Sequence, residues 1–132
     1  EDGRIKLYVT HLCLLARRDC PRLFLEGAYV PLRTEGDRSG HACSYARVSA
    51  DAQAAAVAVA PAMVSGLTHG ALEPIGEDVW GDTSIVLPSR LGRTFRNCFT
   101  GELLTPANAN GRYQLPLACV LREFPVALLV AE

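Results

Sequence analysis

Lysine is almost missing from this chain: Lys6 is the only one, and the rest of the 13 basic side chains are arginines. Those arginines do not cluster apart from the pair Arg17–Arg18, and 14 acidic side chains bring the formal net charge to -1. A binder of nucleic acid or of an anionic membrane needs a basic stripe to meet the phosphates, and none is present. Long apolar runs are missing as well. No run reaches the roughly 18–20 residues needed to span a bilayer, and no signal peptide opens the chain. The five cysteines, Cys13, Cys20, Cys43, Cys98 and Cys119, are odd in number and contain no C-x-x-C. A secreted disulfide framework pairs its members, so reduced thiols in a cytoplasmic protein are the expectation. No methionine opens the chain, and Glu1-Asp2-Gly3-Arg4 reads as the approach to a helix. The expectation is a segment of a longer polypeptide.

What is present describes a globular domain. The chain has 132 residues, 49% of them hydrophobic and 20% charged, which is enough to close one hydrophobic core and too apolar for disorder. Ile5 to Arg18 reads as a helix, with Asp2 as its N-cap and Arg17–Arg18 at its negative end. Cys20-Pro21 stops it. One face carries Ile5, Tyr8, Val9, Leu12, Leu15 and Ala16 at helical spacing. The other side is not polar, because it holds Leu7, Cys13 and Leu14. A helix apolar over most of its circumference requires cover on two sides, and the rest of the chain supplies cover for one. Left alone, such a face favours self-association through this helix.

After Pro21 the pattern changes to short strands broken by glycine and proline. The expected strands are 28–34, 41–48, 54–60, 83–87, 94–100, 113–115 and 126–130. Residues 63–79 read as a long loop. Short strands at this spacing indicate a mainly β fold, an antiparallel β-sandwich preceded by one helix.

Few residues suggest chemistry. His41 and Cys43 would share one face of a strand, and His11 with Cys13 would sit on different sides of the helix, but no third or fourth ligand stands at a metal-site spacing. His41 and His69 have no nucleophile in a recognisable setting. No glycine-rich phosphate loop is present. Glu73, Glu77, Asp78 and Asp82 crowd one region and read as a solvated loop. No catalytic residue, cofactor or metal is expected. The single candidate sugar contact is Trp80, the only tryptophan. Tyr29, Tyr45, Phe95 and Phe99 lie in strands and read as core, whereas a sugar-binding module presents at least two exposed aromatic rings.

Three stretches carry a family resemblance. The first runs Asp2-Gly3-Arg4-Ile5-Lys6-Leu7-Tyr8-Val9-Thr10, then Leu14-Leu15-Ala16-Arg17-Arg18, then Pro21-x-Leu23-Phe24-x-x-Gly27-x-Tyr29-x-Pro31-Leu32. The second holds Trp80-Gly81-Asp82-Thr83, Leu87-Pro88 and Asn97-x-Phe99-Thr100-Gly101-Glu102. The third is the ending Phe124-Pro125-Val126-Ala127-Leu128-Leu129. In this order they resemble the C-terminal region of the maltooligosyl trehalose synthases, the (1→4)-α-D-glucan 1-α-D-glucosylmutases of the α-amylase superfamily. Residues 49–76 match that pattern poorly.

The resemblance implies that residues 1–23 are the last helix and connector of a (β/α)8 barrel and residues 24–132 its C-terminal β-sandwich. It implies a partner, the upstream catalytic barrel of the same polypeptide, and a maltooligosaccharide substrate bound mainly outside this chain. The parent would turn the reducing-end α-1,4 bond of that substrate into an α,α-1,1 bond. Such chemistry uses a carboxylate nucleophile and a carboxylic acid, and none of the family's catalytic carboxylates falls on this chain. The alternatives are the same domain type from another amylase-superfamily enzyme, or an independent α-glucan-binding β-sandwich.

Overall fold

In the computed structural model, which describes residues 3–70 and 73–132, the first helix, α1, runs Arg4–Asp19. The expected cap Asp2 lies outside the described residues. Gly3 takes the N-cap position in a left-handed conformation, φ +74°, with no side-chain cap. Arg17 and Arg18 occupy the last turn, where their charge meets the exposed carbonyls. Pro21 does more than stop this helix. It opens a second one, α2, Pro21–Glu26, because a proline at the first helical position forfeits no hydrogen bond. The boundary expected between residues 23 and 24 therefore lies inside α2.

Two antiparallel sheets follow. The larger has six strands: β1 (Ala28–Pro31), β3 (Ala42–Val48), β4 (Ala55–Pro61), β10 (Ala127–Ala131), β6 (Phe95–Asn97) and β7 (Leu103–Leu104), in that spatial order. The smaller has four: β2 (Arg33–Glu35), β5 (Ser84–Leu87), β9 (Arg112–Pro116) and β8 (Ala107–Ala109). The expected mainly β sandwich with a leading helix is the observed fold. Five expected strands sit within one residue of β3, β4, β5, β9 and β10. The strand expected over 28–34 is divided at Leu32, whose N–H donates to the Ser44 carbonyl at 3.1 Å while the chain passes from one sheet to the other. The strand expected over 94–100 ends at Asn97. There the Asn97 side chain accepts the Phe99 N–H at 2.9 Å, and its carbonyl accepts the Gly101 N–H at 2.8 Å. The loop expected over 63–79 holds two short helices, α3 (Val64–Thr68) and α4 (Glu77–Trp80), and a further short helix, α5 (Leu117–Val120), follows β9. Among the described residues no helix is long and apolar enough to cross a membrane.

The two central strands are apolar on both faces. Val57 and Val59 of β4 and Leu129 of β10 point into the sandwich with Ile85, Leu87, Phe95 and Leu115. Ala56, Ala58, Leu128 and Val130 point the other way, against the helices. The alternation of valine and alanine in β4 has a packing consequence. The bulky set fills the space between sheets, and the alanines leave room for α1 to approach the outer face. The molecule is thus three layers: helices, large sheet, small sheet.

The turn after β2 is tied to the segment before β5. Asp37 N–H donates to the Asp82 carboxylate at 3.2 Å and Arg38 N–H to the Thr83 hydroxyl at 3.0 Å. Gly36 permits this approach: its φ is +113°, and a Cβ there would stand 2.6 Å from the Thr83 Cα. Backbone on backbone has no easy relief, so Gly36→Ala is expected to destabilise the fold by about 1–3 kcal/mol. A lowered urea midpoint at unchanged slope is the expected reading. An unchanged midpoint would mean that the two segments do not meet.

Candidate functional site

Trp80 is fully buried, and its indole N–H donates to the Pro74 carbonyl at 2.9 Å. With no ring face in solvent it offers no platform for a sugar, which corrects its reading as a candidate contact. Glu77 and Asp78 lie exposed in the first turn of α4, Glu73 is exposed before it, and Asp82 receives the Asp37 N–H. These four carboxylates serve a helix start and a loop anchor, and none lines the groove that opens beside the first two helices. His41 lies in a 3-10 turn with Nδ1 3.2 Å from the Ala62 carbonyl, so it does not share a strand face with Cys43. Among the described residues no group of three or more histidine, cysteine or acidic side chains could hold a metal ion.

The distinctive surface is built by α1. Its Val9, Leu12, Cys13 and Ala16 pack on a second core formed by Leu23, Ala56, Phe99 and Leu128. The Tyr8 hydroxyl donates to the Phe99 carbonyl at 2.6 Å, and its ring meets Phe124 edge-on at 5.7 Å. That fixes one side of the helix to the large sheet. The opposite side is bare. No residue of α1 is buried, and Leu7 and Leu14, seven residues apart on one stripe, are 72% and 59% exposed. Leu25 of α2 is 72% exposed as well. The helix is apolar on two sides, as its sequence requires, and one of them faces solvent.

Three thiols lie in or beside this second core: Cys13, Cys20 and Cys98. Burial raises the Cys13 and Cys98 thiols above their ordinary range, and for Cys98 the neighbouring Cys13 and Cys20 add to the effect. Raised thiols are poor nucleophiles near neutral pH. They act as small hydrophobes that pack the helix onto the sheet.

Beside α1 and α2 a groove of about 420 Å³ opens on the outer face of the large sheet. Ala58 and Leu128 form part of its floor; Phe24, Tyr45, Arg17 and Arg47 are among the residues that wall it. Four aromatic side chains are expected in the core from their place in strands. Phe95 and Phe99 are there. Tyr29 and Tyr45 are not: they are 60% and 36% exposed, with ring centroids 5.0 Å apart. The parity of β3 explains the reversal. Ser44, Ala46 and Val48 are its buried residues, so Tyr45 and Arg47 must point outward.

No protein-family model matches the chain, and no curated protein does. A solved structure is similar: a mutant of maltooligosyltrehalose synthase from Arthrobacter ramosus matches 88% of this chain at 28% sequence identity, with a TM-score of 0.63. This chain spans 12% of the length of that protein. The motifs of the sequence and the shape of the fold thus lead, by separate routes, to similarity with a part of maltooligosyltrehalose synthase.

Proposed function

We propose that this chain is the non-catalytic C-terminal domain of an enzyme that converts maltooligosaccharides to maltooligosyl trehalose by intramolecular transglycosylation. The observation that carries this reading is α1, a helix packed against the sandwich on one side and bare at Leu7 and Leu14 on the other. In the proposed arrangement α1 is the last helix of a (β/α)8 barrel, and its bare stripe packs on that barrel. The similar synthase supports the assignment, since this fold occupies 12% of its chain. The five free cysteines suit a cytoplasmic setting.

The chemistry then belongs to the rest of the polypeptide. A carboxylate nucleophile attacks the anomeric carbon, and a carboxylic acid protonates the leaving oxygen. The freed glucose stays in place and returns its own anomeric hydroxyl as acceptor. Water must be kept out, or the same intermediate is hydrolysed. This chain contributes rigidity. A barrel helix gripped from both sides cannot rock, and a misplacement on the order of 1 Å at a reacting centre can cost about 100-fold in rate.

The test is the full-length gene product acting on maltopentaose, with reducing ends and α,α-1,1-linked product measured separately. Loss of reducing ends without release of glucose is the expected result, with no turnover by the 132-residue chain alone. Accumulating reducing sugar would mean a hydrolase and would overturn the transglycosylase reading.

A further inference from the structure

We propose that the groove along α1, independently of the activity proposed for the parent enzyme, binds a free linear amphiphile: an apolar chain ending in one anionic head, of which a fatty acid is the simplest. Ile5, Val9, Cys13 and Arg17 follow at four-residue spacing and form one row on a flank of α1. From Ile5 to Arg17 this row is about 18 Å long, at a helical rise of ~1.5 Å per residue. The groove of about 420 Å³ takes in the row from Val9 to Arg17. A second section, of about 350 Å³, takes in Ile5 and Val9 and is closed by Pro125 and Val126. Val9 and Val126 line both, so the two sections form one trough.

Its charge is of one sign. Arg17 and Arg47 line the first section, Lys6 is the one charged side chain of the second, and no carboxylate lines either. Five other arginines, Arg18, Arg33, Arg96, Arg112 and Arg122, are paired with carboxylates. Among the described residues neither Arg17 nor Arg47 has such a partner. Asp19, the one acid of α1, is taken by Arg18. Arg47 is steadied by its hydrogen bond to the Gly27 carbonyl at 2.8 Å, and its remaining N–H groups are open to an anion. A carboxylate head suits this end, because guanidinium groups give it charge-assisted hydrogen bonds. Lys6, at the other end, is exposed, and a lysine so placed lays its stem on apolar surface with its ammonium in water.

The body of the ligand follows from what the trough does not offer. Its floor belongs to β3, β4 and β10, which are interior strands of the large sheet, and their backbone groups are spent on neighbouring strands. The uncharged polar side chains that line it are Cys13, Tyr45 and Thr10. An extended peptide or a sugar brings hydrogen-bonding groups with every unit, and against this floor most would lose water without gaining a partner. An alkyl chain brings none, and contact with Ile5, Val9, Val126 and Leu128 favours it through apolar area alone.

Binding of cis-parinaric acid, a fatty acid that fluoresces in apolar surroundings, to the full-length polypeptide tests the site. Fluorescence should rise to saturation, and dodecanoate below its micelle concentration should displace the probe. Dodecanol lacks the charged head and acetate lacks the chain, so each should compete roughly ten-fold less well or worse. Arg17→Ala/Arg47→Ala should weaken binding roughly ten-fold, with Arg17→Lys/Arg47→Lys in between. Arg17→Ala alone, at an exposed position, carries the test if the double variant does not fold. Absence of saturable binding in wild type would overturn the site. Equal affinity in wild type and alanine variants would also overturn it, and would put the chain elsewhere, such as the bare stripe of Leu7 and Leu14. Dodecanol competing as well as dodecanoate would reduce the trough to an apolar face, and displacement by polyglutamate would make it a surface for acidic protein segments; either overturns the amphiphile. Flotation with vesicles of phosphatidylglycerol and phosphatidylcholine should fail, and its success would overturn the free ligand in favour of a membrane surface.

Discussion

Trp80→Ala is expected to lower the stability of this domain by about 3–5 kcal/mol, the range for emptying a buried tryptophan site. That is a large share of the roughly 5–15 kcal/mol by which whole domains are held together. The ring has no exposed surface, and its loss also leaves the Pro74 carbonyl without the indole N–H. Around it the chain is knotted by backbone bonds. Gly76 N–H donates to Leu121, Thr83 N–H to Trp80, and Leu117 N–H to Thr83, at 2.9, 3.0 and 2.9 Å. Residues 74–83 therefore form a plug joined to α5, with Trp80 as its anchor in the main core. Urea unfolding should show a lower midpoint, and hydrogen exchange should open this segment first. Trp80→Phe keeps most of the volume and loses the hydrogen bond, so it should fall between alanine and wild type. The same variants separate a buried anchor from the sugar contact expected of a lone tryptophan. A sugar contact would reduce glucan affinity with stability intact, and a buried anchor does the reverse.

The helix and the central strands were legible because their signals are local. Alternating valine and alanine in β4 announces a strand with two different faces, and Leu128 against Leu129 repeats the message in β10. The bare side of α1 was legible for the same reason: no folding of the remainder makes Leu7 and Leu14 polar. What escaped depends on partners far along the chain. Tyr45 exceeds Ser44 and Ala46 in bulk and reads as the better core residue, yet β3 turns Ser44, Ala46 and Val48 inward, and the alternation of a strand then leaves Tyr45 outside. The helices α3 and α4 are five and four residues long, too short to show a helical period. Met63 and His69, which bound α3, both have positive φ, at 50° and 48°, and neither is the glycine or asparagine that most plainly announces such a backbone. Proline misled in another way: Pro21 signals a break, and the sequence alone does not say whether a loop or a new helix follows.

Replacing Leu7 and Leu14 together by aspartate should separate the two lives of α1. Both side chains are mostly in solvent, so the 132-residue chain alone should melt at an unchanged temperature. It should also lose the self-association that a bare apolar stripe drives, as read by sedimentation. In the full-length polypeptide the proposed arrangement buries the same two leucines against the barrel. Burying one leucine contributes about 1.5–3 kcal/mol, and a charge forced into that contact adds a desolvation cost. A loss of several kcal/mol is therefore expected there, with a fall in maltopentaose turnover as the last helix of the barrel loosens. Val9→Asp is the control from the opposite side: Val9 packs against the sheet, so this variant should harm the isolated chain and the full-length polypeptide alike. If the leucine pair leaves stability and turnover of the full-length polypeptide untouched, nothing covers that stripe. The helix would then belong to the sandwich alone, and the buttressing role would fall with it.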